Sequence, residues 1–323
     1  MTDAAELVSL DDIREARERV MPRLHRTPLA TSRTLGTRTK TKAWLKLELF
    51  QKTGSFKPRG VLNTLSQLSP HERQRGVISI SAGNHAQALA WGASSMGVQC
   101  TMVMPATAVR TKIEATREYG AEVILTTEDL LATCLQVQRE RSLTLVHPFD
   151  DLRVIAGAGT VGLEVMEDLS EVDAVIVGCG GGGLLAGVAA AVKQRNPLTK
   201  VIGVEPRGAN GMIQSLAKGE AVRLTTLSTI ADGLAAPFAG VRNLAHVQAF
   251  VDEMVEVEDD EIVDAMRFLM QRAKVVAEPA GAAATAALLS GKVTLRPDSV
   301  VAVIVSGGNV DLDRLRSLLA PSA

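Results

Sequence analysis

The chain has 323 residues and a formal net charge of −1, and aromatic residues make up only 3% of it. This near-neutral, aromatic-poor composition lacks the basic surface and the stacking side chains that are typical of nucleic-acid-binding proteins. The length favours two lobes over a single core, and the three cysteines, Cys100, Cys134 and Cys179, have no CxxC spacing, which is typical of a cytoplasmic protein without disulfides.

The first twenty residues predict an amphipathic helix. The segment MTDAAELVSLDDIREARERV is acidic and has no apolar core of the kind that a secretory signal requires. Ser9 and Asp12 have the spacing of a weak capping box at the start of this helix. The apolar stretches further along the chain are rich in alanine and glycine and are shorter than a membrane span. We therefore expect no membrane partner.

Short runs rich in valine and isoleucine alternate with longer helical segments in the rest of the chain. The predicted strands cover 76–81, 100–105, 122–127, 143–148, 173–178, 200–205 and 299–306, and two late helices are predicted over 259–273 and 280–290. Continuous apolar runs are typical of parallel strands that are buried on both faces. Their alternation with helices predicts an α/β fold with mostly parallel sheets flanked by helices. Because the strands form an earlier and a later series, we expect two sheets, with the N-terminal residues returning to the second lobe.

The strongest local signal is a run of glycines in GCGGGGLLAG, residues 178–187, between a predicted strand and a predicted helix. Consecutive glycines let backbone amides surround an anion, and the helix N-terminus adds a favourable partial charge. The same segment also fits G-x-G-x-x-G through Gly178, Gly180 and Gly183, and Glu205 ends the next predicted strand. A dinucleotide such as NAD is therefore an alternative ligand at this point.

Polar residues follow two other predicted strands. Ser81, Asn84 and His85 surround a helix start in SAGNHAQALA, where free amides could hold a carboxylate, although a simple helix cap explains the pattern equally well. Ser306 ends the last predicted strand, and Asn309 could cap the helix that follows it. Ligands of open α/β sheets bind beyond the carboxyl ends of strands, so these positions are candidates for one site.

Lys57 stands in TGSFKPRG, residues 53–60, where local rules discourage a cation. Pro58 is favoured at the first helical position, which places Lys57 at the helix cap. The positive end of the helix dipole and the neighbouring Phe56 disfavour an ammonium group there. A neutral amine is the form of lysine that makes a Schiff base. The sequence therefore predicts an amine poised for reaction with a carbonyl compound.

The four motifs SFKPRG, SAGNHAQ, GGGGL and SGGN together resemble fold-type II pyridoxal-phosphate enzymes, in the order that is typical of that family and over nearly the whole chain. The sequence is most similar to the serine/threonine dehydratase (threonine ammonia-lyase) and serine racemase branch, in its short catabolic-type form. The resemblance implies a two-domain, tryptophan synthase β-like fold. The large domain would cover 1–67 and 148–323 and the small domain 68–147, with pyridoxal 5'-phosphate between them.

The resemblance also implies a role for each motif. Lys57 would hold pyridoxal phosphate as a Schiff base, and Phe56 would lie beside the ring. Asn84 would hydrogen-bond the ring hydroxyl, and Ser306 would face the pyridine nitrogen. The phosphate would be bound by the glycine run, Gly180, Gly181, Gly182 and Gly183. The substrate carboxylate would lie among the polar residues of the second motif, Ser81, Asn84 and His85.

The implied reaction is an α,β-elimination that converts L-threonine, L-serine or both to 2-oxobutanoate or pyruvate and ammonia. Alternatives are a dehydratase of another β-hydroxy amino acid such as 3-hydroxyaspartate, a serine racemase with side dehydratase activity and, from a different class, an NAD-binding protein. Ala82 stands where racemases of this branch carry a second serine. Glu205 is a weak metal candidate, because Gly211 replaces an aspartate of the cation site that racemising members use. The family resemblance implies a homodimer or homotetramer.

Overall fold

A computed structural model of the chain describes residues 6–320. The first five residues of the predicted N-terminal segment and residues 321–323 of the predicted large domain lie outside this range. The described part of the chain contains ten strands: β1 (Leu29–Thr31), β2 (Lys42–Leu47), β3 (Val77–Ile80), β4 (Cys100–Pro105), β5 (Glu122–Thr126), β6 (Thr144–Leu145), β7 (Ala174–Gly178), β8 (Lys200–Pro206), β9 (Glu253–Val257) and β10 (Val300–Val305).

Fourteen α-helices lie between residues 6 and 320: α1 (Leu10–Val20), α2 (Arg33–Thr39), α3 (Lys57–Ser66), α4 (Pro70–Arg75), α5 (Asn84–Ser95), α6 (Arg110–Glu118), α7 (Leu130–Arg141), α8 (Leu152–Asp168), α9 (Gly183–Arg195), α10 (Gly211–Lys218), α11 (Val241–Phe250), α12 (Asp259–Phe268), α13 (Pro279–Leu289) and α14 (Leu312–Leu319). Short 3₁₀ turns occur at Glu48–Phe50, Lys52–Gly54, Arg207–Ala209 and Asp232–Leu234, and a π-helical turn, Leu269–Ala273, continues α12. Within this part of the chain, none of the helices combines the length and apolar character that a membrane span requires.

The strands form two sheets, as the two β/α series predict. The first sheet has the order β1-β2-β10-β7-β8-β9, and every pair in it is parallel except β1 with β2. The second sheet has the order β5-β4-β3-β6 and is entirely parallel. The prediction of an α/β fold with mostly parallel sheets is thus confirmed. The second sheet uses residues between 77 and 145, and the domain limits at 68 and 147 stay a prediction.

Three strands of the first sheet, β1, β2 and β9, are absent from the sequence prediction. β1 has only three residues, and β2 and β9 carry charged residues among their apolar ones, in KAWLKL and EMVEV. Both β1 and β9 lie at edges of the sheet, where one side of the strand needs no apolar cover. A search for continuous valine and isoleucine runs is therefore unable to find them.

Helix α1 begins with the predicted capping box and packs on the first sheet's helices. Ser9 Oγ accepts from the Asp12 amide at 3.1 Å, and the Asp12 carboxylate accepts from the Ser9 amide at 2.8 Å. Ile13 and Ala16 are buried against residues of α8 and α9, such as Ile155. The N-terminal helix therefore packs against helices of the later β/α series, and its assignment to one lobe with them stays a prediction.

Candidate active site

Lys57 is the first residue of α3, one position later than the cap that the sequence suggested, and Phe56 takes the cap position. The Lys57 Nζ donates a hydrogen bond to the carbonyl oxygen of Pro148 at 2.9 Å and lies 5.2 Å from the centroid of the Phe56 ring. Burial lowers the pKa of the Lys57 amine to about 8. The amine is therefore far more often uncharged near neutral pH than that of an exposed lysine, as the sequence argument requires.

A fully buried cluster of charges fixes the first turn of α3. Arg59, two residues after Lys57, binds Glu48 through Nε and Nη2, at 2.8 Å each, and Glu164 through Nη1 at 2.8 Å. Lys46 pairs with Glu164, so two positive and two negative side chains balance each other without exposure to solvent. Burial alone would raise the pKa of Glu164, but Arg59 and Lys46 hold it below its usual value.

Close helix contact completes the support of the lysine. A Cβ atom on Gly157 of α8 would stand 2.5 Å from the carbonyl oxygen of Arg59 and 2.7 Å from the Cα of Gly60. Only a residue without a side chain lets α8 approach α3 this closely. The backbone next to Lys57 is therefore held by packing as well as by the buried charge cluster.

The glycine run leaves the carboxyl end of β7 and starts α9, as predicted. Within the described residues, the backbone amides from Gly180 through Leu185 donate no hydrogen bond to protein acceptors, although Gly181 to Leu185 are buried. Gly182 has φ = +98°, a conformation that turns successive amides toward one side. Buried amides without acceptors at a helix N-terminus form a site for an anion such as a phosphate group.

Neighbouring side chains hold this glycine loop in place. Asn243 Nδ2 donates to the Gly181 carbonyl oxygen at 2.7 Å, and a Cβ on Gly181 would stand 2.5 Å from the Phe149 ring. Phe149 follows Pro148, whose carbonyl accepts from Lys57. The segment 147–150 thus lies between the lysine and the glycine loop and brings the two predicted motifs together.

The segment after β3 offers a second set of free amides. Ser81 Oγ accepts from the Gly83 amide at 3.0 Å, whereas the amides of Ala82, Asn84 and His85 have no acceptor among residues 6–320. No side chain caps α5, so the helix-cap alternative for Ser81 and Asn84 is wrong. Free amides at a helix N-terminus are suited to a substrate carboxylate.

His85 takes part in this segment through its backbone only. Its imidazole is buried, with Nε2 placed 2.9 Å from the Ser79 hydroxyl, which in turn donates to the Val146 carbonyl at 2.6 Å. Burial, and to a smaller extent the charge of Lys57, lowers the pKa of His85 well below its usual value. The imidazole is therefore a neutral part of the second sheet's packing.

Asn84 is held by two residues of distant segments. Its Nδ2 donates to Glu278 Oε1 at 2.6 Å, and its Oδ1 accepts from Asn309 Nδ2 at 2.8 Å. Asn309 also donates to the Thr53 carbonyl at 2.7 Å, so the prediction that it caps a helix is wrong. The sequence reasoning missed Glu278, and its only local signal is an acidic residue directly before the proline that starts an alanine-rich helix.

Ser306 follows the central strand β10 and lies next to the lysine motif. It is only 6% exposed, its carbonyl oxygen accepts from the Phe56 amide at 3.1 Å, and Ser55 pairs with Gly307 in a β-bridge. The Ser306 hydroxyl makes no hydrogen bond to the described residues, so it is free to meet a ligand. The three strand ends and the lysine motif are therefore joined by direct contacts.

Glu205, the weak metal candidate, lies apart from this arrangement. Its two carboxylate oxygens accept from the amides of Met212 and Ile213 at 2.9 Å each, so it caps α10, and burial raises its pKa to about 8. Nowhere between residues 6 and 320 do three or more His, Cys, Asp or Glu side chains form a cluster suited to a metal ion. These contacts are those of a polar residue that caps a helix, and the weak metal role of Glu205 stays a prediction.

The free groups of this site fit pyridoxal phosphate. An amine with a pKa of about 8 suits an aldehyde, the glycine amides suit a phosphate, and Ser306 and Asn84 offer polar groups between them. The second set of amides remains for the carboxylate of an amino acid. The chemistry of the donors thus matches a phosphorylated aldehyde cofactor together with an amino-acid substrate.

Comparisons with known proteins agree with this fit. A family model described as "Pyridoxal-phosphate dependent enzyme" matches residues 20–307. An L-threonine ammonia-lyase of Thermotoga maritima is 45% identical over 97% of this chain and 78% of its own length. The L-threonine dehydratase catabolic TdcB of Staphylococcus aureus strain USA300 is 44% identical over 98% of this chain and 93% of its own length.

Solved structures of serine racemases have the same fold as this chain. Maize serine racemase superposes with a TM-score of 0.92 at 38% identity, covering 97% of both chains. The serine racemase of Dictyostelium discoideum has a TM-score of 0.89 at 39% identity, with coverage of 94% of this chain and 99% of its own. The resemblance and the α/β fold are confirmed, and pyridoxal phosphate is favoured over the dinucleotide alternative. The chain belongs to the family of pyridoxal-phosphate-dependent enzymes.

Proposed function

We propose that the chain is an ammonia-lyase that converts L-threonine and L-serine to 2-oxobutanoate and pyruvate, with release of ammonia. The observation that carries the proposal is the amine of Lys57, whose pKa burial lowers to about 8, placed beside two sets of free backbone amides. The names of the relatives that are 44–45% identical over nearly the whole chain support this substrate choice.

Each group of the site has a task in this proposal. The amides from Gly180 to Leu185 hold the cofactor phosphate, and those of Ala82, Asn84 and His85 hold the substrate carboxylate. The bound cofactor supplies an electron sink for the charge left at the substrate Cα. The uncharged amine of Lys57 removes the proton from that Cα, acting as a general base.

Two further groups bear on the chemistry. The Ser306 hydroxyl would face the pyridine nitrogen, and a neutral hydroxyl does not hold that nitrogen protonated as a carboxylate would. The Pro148 carbonyl, which accepts from the Lys57 amine at 2.9 Å, orients that amine. The net reaction removes the α-proton and the β-hydroxyl and ends, after hydrolysis, in a 2-oxo acid and ammonia. Atoms balance, because the water lost in the elimination is regained in the hydrolysis.

The first experiment is a steady-state screen of L-threonine, L-serine and 3-hydroxyaspartate that follows release of the 2-oxo acid. We expect L-threonine and L-serine to be turned over and Lys57→Ala to abolish the activity. Lys52→Ala is the matched control, because Lys52 lies five positions earlier and makes no side-chain hydrogen bond in the described structure. Faster turnover of 3-hydroxyaspartate would move the proposal to that substrate.

A second experiment tests the lysine without relying on turnover. Borohydride reduction of the purified protein should leave a pyridoxyl group on Lys57 that peptide mass spectrometry can locate. Protein that carries NAD and no pyridoxyl group would reject the proposal. Unchanged ammonia release by Lys57→Ala would reject the role of that residue.

Serine racemisation is a second candidate, favoured by the close superposition on maize serine racemase. Ala82, where racemases of this branch have a serine, is exposed at the free-amide segment, and its methyl group has no proton to deliver to the opposite face of the substrate. We therefore expect chiral analysis after incubation with L-serine to find pyruvate in large excess over D-serine. Comparable amounts of D-serine would show that another group supplies the proton.

The proposal extends to the organisation, location and assembly of the enzyme. The small domain would cover 68–147, which includes the whole second sheet. The three cysteines are buried and free, which supports a reducing compartment such as the cytoplasm. We expect a homodimer or homotetramer, to be measured by light scattering during size-exclusion chromatography, and a monomer at micromolar concentration would contradict this part of the proposal.

A further inference from the structure

Glu278 is a buried carboxyl group between the segments that follow β3 and β10. It directly precedes α13, is 3% exposed and lies beside Gly307 of the SGGN motif. A Cβ atom on Gly307 would stand 2.2 Å from Glu278 Oε1, so the missing side chain at Gly307 makes room for this carboxyl group. The glycine after Ser306 therefore brings an acidic residue into the site.

The carboxyl group reaches across to the segment that follows β3 of the second sheet. Glu278 Oε1 accepts from Asn84 Nδ2 at 2.6 Å, while Asn309 holds the other end of the Asn84 amide at 2.8 Å. Glu278 Oε2 has no hydrogen-bond partner in the described part of the chain. When the carboxyl group is protonated, the proton sits on Oε2, because Oε1 accepts from Asn84. The orientation of the Asn84 side chain thus depends on Glu278.

Three polar side chains lie near the Glu278 carboxyl group. Asn84 comes from α5, Asp232 from the 3₁₀ turn before residue 235, and Lys112 from α6, and Lys112 is itself paired with Asp232 at 2.6 Å. Burial raises the pKa of Glu278 to about 7, with a further increase from Asp232, against opposing contributions from the Asn84 hydrogen bond and Lys112. The carboxyl group therefore changes its charge within the pH range in which most enzymes work.

We propose that Glu278 is a positioning residue, which orients the Asn84 amide toward the cofactor and holds it more tightly in the ionised form. The proposal rests on the proposed function and on the role that the family resemblance implies for the Asn84 side chain, a hydrogen bond to the ring hydroxyl of the cofactor. A hydrogen bond to a carboxylate is about twice as strong as one to a neutral acceptor. Asn84 is accordingly fixed above neutral pH and held more loosely below it, so this pair adds a step near pH 7 to the pH dependence of the cofactor affinity.

The test is a spectroscopic titration of the cofactor-free full chain with pyridoxal phosphate between pH 5.5 and 8.5. For the wild type we expect the dissociation constant to fall roughly fivefold as the pH rises through 7, the size expected for one charge-assisted hydrogen bond. Glu278→Gln keeps an amide oxygen for Asn84 but has no charge to gain, so this step should disappear. Any step that comes from Lys57, near pH 8, should remain in both proteins.

Asn84→Ala provides the second arm, which stays informative if Glu278→Gln fails to fold. It should also abolish the step near pH 7, and the addition of Glu278→Gln to it should change the affinity no further. Two results would overturn the proposal. One is a change of the dissociation constant near pH 7 that survives in either variant. The other is an equal effect of Glu278→Gln on cofactor affinity with and without the Asn84 side chain. The readout is binding, so a wild-type protein that binds pyridoxal phosphate but releases no 2-oxo acid would reject the proposed function and leave this test intact.

Discussion

The substitution Arg59→Met should destabilise the protein strongly, because it breaks the charge balance of the buried cluster beside Lys57. In the wild type, Arg59 and Lys46 neutralise Glu48 and Glu164, and none of the four side chains is exposed. Methionine fills much of the volume of the arginine but leaves the cluster with one excess negative charge. Glu48 also loses both of its 2.8 Å contacts with the guanidinium.

The expected magnitude follows from the burial. Removal of one partner from a buried ion pair costs about 3–5 kcal/mol, because the remaining charge stays buried without compensation. Unfolding entropy scales with chain length, and about 2.1 cal/mol/K per residue over 323 residues gives roughly 0.7 kcal/mol/K. The thermal midpoint should therefore fall by about 4–7 °C. The loss is a large part of the 5–15 kcal/mol that is typical of a folded domain.

The assay is thermal unfolding followed by circular dichroism at one fixed concentration of pyridoxal phosphate, since bound ligand shifts the midpoint. The control is Arg14→Met, because Arg14 pairs with Asp11 on the surface, where the two side chains are 47% and 82% exposed. A pair of that kind contributes little, so the midpoint should hardly move.

A compensating variant tests the reasoning more sharply. Addition of Glu48→Gln to Arg59→Met removes the excess negative charge and keeps the buried Lys46–Glu164 pair, so the double variant should be more stable than Arg59→Met alone. An Arg59→Met midpoint equal to that of the wild type, or a double variant less stable than the single one, would refute the charge-balance argument.

Three further predictions concern Lys57, the glycine loop and α1. In the cofactor-free protein, the rate of Lys57 acylation, followed by mass spectrometry, should rise with pH with a midpoint near pH 8, because burial lowers the pKa of the amine. A midpoint near the ordinary value of about 10.4 would contradict that effect of burial. Gly181→Ala should weaken binding of pyridoxal phosphate roughly tenfold in an equilibrium titration. A Cβ atom 2.5 Å from the Phe149 ring forces the glycine loop to move, at a cost of about 1–3 kcal/mol. Unchanged affinity would show that the Phe149 ring moves instead of the loop. Ser9→Ala should speed hydrogen exchange in α1 by the equivalent of about 1 kcal/mol through loss of its cap, and wild-type exchange rates would show that packing alone holds the helix.

Much of the fold could be predicted from the sequence, because its signals are local. The buried parallel strands are continuous apolar runs, and the capping box of α1 depends on residues three positions apart. The charged residues in β2 and the edge position of β1 and β9 hide those strands from the same argument. A pattern-based prediction finds strands with a continuous apolar run, including the edge strand β5, and misses those that are very short or interrupted by charged residues.

The chemistry of Lys57 and the free amides of the glycine run were also accessible from the sequence, because each follows from a few adjacent residues. The hydrogen bond between Asn84 and Glu278 joins residues 194 positions apart, and the tertiary structure alone brings them together. Two contacts of shorter range also appear only in the folded chain, that of the His85 imidazole with Ser79 and that of the Glu205 carboxylate with the start of α10. Sequence pattern tells which groups a strand end carries, but the packing of the two sheets decides which of them face each other, since that depends on contacts between segments far apart in the chain.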